Sequence, residues 1–110
     1  MEKEFKYFLI RDNGILLEII FLFTEITPEI EKEIYGILTT IYFGIHTHLK
    51  INLKDTKNLS LNMITFLLNL NKELNKSNRY LVINNPPDSL LHFFKHTGLS
   101  KKISVIHTAE

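Results

Sequence analysis

Cysteine does not occur in the 110 residues. That excludes disulfides, thiolate nucleophiles and Cys-ligated zinc, and leaves the compartment to other signals. Glycine is scarce, with four in the chain. No glycine-rich loop is present to cradle a phosphate, and no Gly-x-Ser-x-Gly elbow to expose a nucleophilic serine, so an enzyme is not expected. Charge of one sign is missing as well: 13 Lys and Arg stand against 12 Asp and Glu, a net charge of +1. Lys72, Lys76, Arg79, Lys101 and Lys102 are separated by polar and apolar residues and form no basic stripe, which argues against nucleic acid as a partner. Long hydrophobic runs are also lacking. The greasiest stretch, 15–23, is interrupted by Glu18, and Met1-Glu2-Lys3-Glu4 has no apolar segment behind it. Neither a membrane span nor a signal peptide is expected, and the expected location is cytoplasmic.

What is present is enough for one domain, 1–110, with a single core and no internal repeat, low-complexity tract or linker. Its richness in Asn, Ile, Lys and Leu reads only as a composition bias, such as an AT-rich bacterial genome would produce. Residues 5–10 and 15–23 are β-rich runs joined by Arg11-Asp12-Asn13-Gly14, whose Asn-Gly pair suits a tight hairpin. Thr27 is placed to N-cap a helix with Pro28 in its first turn. Glu29 and Glu31 complement its dipole, and Ile30, Ile34, Leu38 and Ile41 form its apolar stripe up to Gly44.

A buried strand is expected over 49–53, followed by a short polar loop and a helix from Ser60 to about Lys76. Leu61, Ile64, Leu67 or Leu68, and Leu74 are its expected buried side, and Ser77-Asn78 break it. Residues 79–83 read as a short strand, Asn84-Asn85-Pro86-Pro87 as a loop, Asp88 as the cap of a third helix through His96, and Gly98 as its left-handed stop. Residues 103–106 close the chain as a strand. The order ββαβαβαβ gives an α/β fold: an N-terminal β-hairpin followed by αβαβαβ, a mixed sheet with helices packed on it. In such a sheet the handover from a strand's carboxyl end to a helix N-terminus is the place to look for function, which singles out 51–68.

In that order and spacing the chain resembles the STAS domain family, the fold of bacterial anti-sigma factor antagonists. Asn52, Leu53 and Asp55 match the family's strand end, Leu59 the aliphatic residue of the turn, and Leu67-Leu68 the paired leucines of the helix. Tyr80-Leu81-Val82-Ile83 resembles the next strand, 86–94 the helix after it, and Thr97-Gly98-Leu99 its end. The family's Asp-Ser-Ser-Gly switch motif falls on Ser60, Leu61, Asn62 and Met63. Leu61 has no hydroxyl, so the resemblance implies a switch site whose phosphoacceptor is gone.

The resemblance thus implies a non-enzymatic protein-interaction module without a cofactor, docking on an anti-sigma factor or serine kinase in transcription regulation. The contacts would come from Asp55, Thr56, Asn58, Ser60, Asn62 and Met63. Ser60 reads as an N-cap, with a shifted phosphosite there as the alternative. Leu61 reads as core, and Met63 as either core or partner contact. Other roles open to such a module are the small cytoplasmic STAS subunit of a lipid-transport ATPase, or a self-associating scaffold. A homodimer could form through the 15–23 strand or through Tyr42-Phe43. The histidines offer one further pattern: His92 and His96 stand at i and i+4 on one helix face, and His46 and His48 alternate at a strand entrance. Spacing of that kind can hold zinc, but no Glu follows His92 to serve as a general base, and solvated histidines are the expectation.

Overall fold

A computed structural model of the chain describes residues 2–44, 48–98 and 103–106. The expected elements are present with one addition, a three-residue strand β1 (Glu2–Glu4). It pairs antiparallel with β2 (Phe8–Asp12), Glu2 opposite Arg11 and Glu4 opposite Leu9. Its Glu-Lys-Glu sequence has no apolar alternation, so only its pairing reveals it. β2 turns into the antiparallel β3 (Leu16–Phe21). This turn is wider than a two-residue hairpin, because the last pair is Asp12 with Leu17. Gly14 alone takes a positive φ, 88°, while the Asn13 side-chain oxygen accepts the amides of Ile15 at 3.0 Å and Leu16 at 2.7 Å. The Asn side chain does the work that a second left-handed residue would do in the tighter turn.

From β3 onward the pairing is parallel, through β4 (His48–Asn52), β5 (Leu81–Asn84) and β6 (Ser104–Ile106). The crossovers are α1 (Pro28–Gly44), α2 (Leu61–Asn75) and α3 (Asp88–Thr97). The spatial order β1-β2-β3-β4-β5-β6 follows the chain, so each crossover steps in the same direction. Right-handed crossovers that all step one way put their helices on one face of the sheet. Burial agrees: Leu17, Ile19 and Phe21, Leu49, Ile51 and Leu53, and Leu81 and Ile83 alternate into a core with Ile34, Leu38, Met63, Leu67, Leu74 and Phe94. On the alternate positions Glu18 pairs with Lys50 at 3.5 Å and with Arg11 at 3.8 Å, while Ile20, Asn52 and Asn84 on the same side are buried.

The helix ends are set by local chemistry. Thr27 Oγ1 accepts the Ile30 amide at 3.2 Å, and Ser60 Oγ accepts the Met63 amide at 3.1 Å, so both act as N-caps. Asn78, at φ 59°, stops α2, and Gly98, at φ 76°, stops α3 in the left-handed conformation. Asp88 is not the cap of α3. Pro87 occupies that position without a side-chain bond, and Asp88 stands inside the first turn, where its charge still favours the dipole. His46, Leu99, Lys101 and Lys102 lie outside the described residues, as do the side chains of Tyr42 and Phe43.

Candidate functional site

The carboxyl ends of β3, β4 and β5 meet at one edge of the sheet, and three connections are tied together there. The segment 53–60 leaves β4 with the Leu53 amide bonded to Asn84 O at 2.8 Å. Its next residues turn back on the preceding connection: the Lys57 amide donates to Thr24 O at 2.8 Å, and the Thr56 hydroxyl donates to Phe23 O at 3.1 Å. On the other side, Ser89 Oγ at the start of α3 lies 3.4 Å from Lys57 O and 3.5 Å from Asn58 Oδ1. Asn52 Oδ1 accepts the Lys54 amide at 3.1 Å and the Asn85 side-chain amide at 3.3 Å, joining the ends of β4 and β5. These bonds tie the three connections to one another.

Ser60 is held from two directions. Besides capping α2, its hydroxyl donates to Glu31 Oε2 on α1 at 3.3 Å. The other oxygen of Glu31 accepts the Tyr35 hydroxyl at 2.7 Å, and the Tyr35 ring lies 4.6 Å from that of Phe66 on α2. Glu31 therefore bridges α1 to the N-terminus of α2. Burial, then the bond to Glu31 and its negative charge, push the Tyr35 phenol up to about 12, because each disfavours the phenolate.

Asp55, Asn58 and Asn62 are exposed, as a docking surface requires. Thr56 and Met63 are not. Thr56 is 4 % exposed with its hydroxyl engaged, and Met63 is fully buried, so neither can offer a side chain to a partner. Leu61, expected in the core, is instead 64 % exposed. Helical geometry explains the exchange. The buried stripe of α2 runs through Met63, Ile64, Leu67, Leu70, Asn71 and Leu74. Leu61 precedes Met63 by two residues, about 200° around the helix axis. The 4-3-4 spacing of 63, 67, 70 and 74 is compatible with this face, as that of 61, 64 and 68 is with the neighbouring one. The roles of Glu31, Tyr35 and Ser89 had no local signal, since each depends on a contact across 29 or more residues or between helices.

The histidine patterns are accounted for separately. His92 and His96 are exposed, with near-parallel rings whose centroids are 5.9 Å apart. His48 Nδ1 accepts the Tyr80 amide at 3.2 Å, and its ring stacks on Tyr80 at 3.8 Å. Among the described residues, no three His, Asp or Glu side chains gather where they could hold a metal ion. None of the described helices is long and apolar enough to cross a membrane. A separate groove lies between the β1–β2 hairpin and α1, lined by Phe5, Ile10, Leu17, Glu33, Gly36 and Ile37.

No protein-family model matches the chain, and no curated protein matches it. Its fold does have a counterpart among solved structures. SpoIIAA, a Bacillus cell fate determinant solved in its phosphorylated form, matches with a TM-score of 0.76 at 19% sequence identity. The match covers 94% of this chain and 92% of that one. The fold is therefore the STAS-type α/β sheet that the order of elements led one to expect.

Proposed function

We propose that the chain is a non-enzymatic docking module acting like an anti-sigma factor antagonist. In this reading it engages an anti-sigma factor or serine kinase of the cytoplasm through the 53–62 surface, without phosphorylation at the usual serine position. The observation that carries the reading is Leu61. A leucine exposed to 64 % stands where the family has its phosphoacceptor, at the start of a helix whose loop is already tied in place. An apolar anchor among polar residues is the usual anatomy of an interface centre, and Asp55, Asn58 and Asn62, close to Leu61 in the sequence, are exposed as it is.

Phosphorylation, the state in which SpoIIAA was solved, is closed to Leu61, and Ser60 is a poor substitute. Its hydroxyl is shared between a helix cap and the Glu31 carboxylate, and a phosphate there would bring nearly two negative charges against a third. The module would bind constitutively as far as these two positions are concerned. Leu61→Asp is the test. It should abolish retention of the partner from an extract of the source cells while leaving far-UV circular dichroism and the melting curve nearly unchanged; equal retention by the variant would discard the site.

One observation favours a self-associating scaffold as a second reading: the apolar groove beside α1, with Phe5 38 % exposed on its wall. Sedimentation of the purified chain at high concentration tests it, and a strict monomer removes it.

A further inference from the structure

Ser89 touches the docking loop from outside it through its hydroxyl. It is exposed in the first turn of α3, and its hydroxyl reaches Lys57 O at 3.4 Å and Asn58 Oδ1 at 3.5 Å. Both neighbouring atoms are oxygens, so the single hydroxyl proton is shared between them in a long bifurcated contact from α3 to the loop that carries Asn58. The other hydroxyls of this edge are placed differently. Thr56 is buried and bonded to Phe23 O, Ser60 is bonded to Glu31, and Thr65 stands in the second turn of α2.

Resting on the docking role proposed above, we infer that Ser89 is a phosphorylation site that regulates the 53–62 surface in place of the acceptor missing at Leu61. The step is an ordinary phosphoryl transfer from ATP by a protein serine kinase. Ser89 Oγ bonds to the γ-phosphorus, the bond from that phosphorus to the β–γ bridging oxygen breaks, ADP departs, and the hydroxyl proton passes to the kinase's general base.

The consequence follows from hydrogen-bond polarity. A serine hydroxyl donates to Lys57 O and Asn58 Oδ1, whereas a phosphoserine near neutral pH is chiefly an acceptor carrying close to two negative charges. The shared donor contact is lost and the phosphate oxygens face the Lys57 carbonyl, which can only accept, so the loop is pushed from α3 at that point. The helix itself tolerates the charge, since its first turn already carries Asp88 and its dipole favours anions there. The modification therefore acts on the loop and leaves the fold intact.

The test has two arms on the full chain. In the first, the purified protein is incubated with ATP and an extract of the source cells, and phosphopeptides are mapped by mass spectrometry for wild type and Ser89→Ala. A phosphate on Ser89 of the wild type is the expected result; none, or phosphate only elsewhere, overturns the inference. In the second, partner retention is compared for wild type, Ser89→Glu and Leu61→Asp. Retention by Ser89→Glu should fall at least tenfold, with an unchanged melting curve. If wild type retains a partner that Leu61→Asp loses while Ser89→Glu retains it fully, the regulatory role fails and the docking role stands. If Leu61→Asp retains the partner as wild type does, the docking role fails and the regulation inferred from it falls too.

Discussion

Replacing Ser60 by Asp isolates the contact that sets this helix terminus apart. By helix-capping chemistry alone the change is harmless: Asp ranks with Ser as an N-cap, and its charge gains about 0.3–1 kcal/mol from the α2 dipole. The tertiary contact reverses the sign. Glu31 Oε2 stands 3.3 Å from Ser60 Oγ, so the new carboxylate replaces a hydrogen-bond donor by a like charge. Two unit charges about 4 Å apart repel by about 1 kcal/mol in water and about 4 kcal/mol at the effective dielectric of a protein surface. The lost hydrogen bond to a charged acceptor adds about 1.5–3 kcal/mol, and relaxation of the side chains removes part of the sum.

Ser60→Asp is therefore expected to destabilise the protein by about 2–4 kcal/mol, and each kcal/mol lowers Tm by roughly 4–8 °C in a domain of this size. Ser60→Asn, an equally good cap without charge, is the control. Urea denaturation of Ser60→Asp, Glu31→Gln and the double variant closes a cycle whose coupling should restore at least about 1 kcal/mol to the pair. Equal stability of Ser60→Asp and Ser60→Asn, or no rescue by Glu31→Gln, would show that Glu31 does not face Ser60 in solution.

The exchange of Leu61 and Met63 is tested by stability alone: Met63→Ala should cost about 2–5 kcal/mol in urea denaturation and Leu61→Ala no more than about 0.5 kcal/mol, and the opposite ranking would refute the assigned helix face. In an ultraviolet titration, the difference between wild type and Tyr35→Phe should show the Tyr35 phenol ionising above its ordinary value of 10.0. Because its phenol is raised from 10.0 to about 12 in the folded state, the native protein holds that proton longer than the unfolded chain. The stability linked to it is whole below pH 10 and is lost as pH rises through 10 toward 12. Tyr35→Phe should remove that share of the alkaline decline, and an identical pH dependence in wild type and variant would count against the Glu31 contact.

The sequence by itself determined the run of elements from β2 to β6 and the edge of the sheet at which to look. Thr27 and Ser60 are read correctly as caps because an N-cap bond closes within three residues, and Gly98 as a stop because few residues adopt a left-handed φ without cost. That Leu61 carries no hydroxyl was legible too, being a matter of which side chain is there. Only the tertiary structure decided which of Leu61 and Met63 faces water, since a leucine and a methionine two residues apart satisfy the same local pattern and the sheet selects between them. It alone added β1, whose polar residues are recruited by backbone pairing. It alone showed that Thr56 is spent on Phe23 O, that Ser60 is held by a carboxylate from α1, and that Ser89 tethers the loop from α3. Those contacts join residues about 30 positions apart, and a hydrogen bond between distant segments depends on how the helices are laid on the sheet, which no short stretch of the chain specifies.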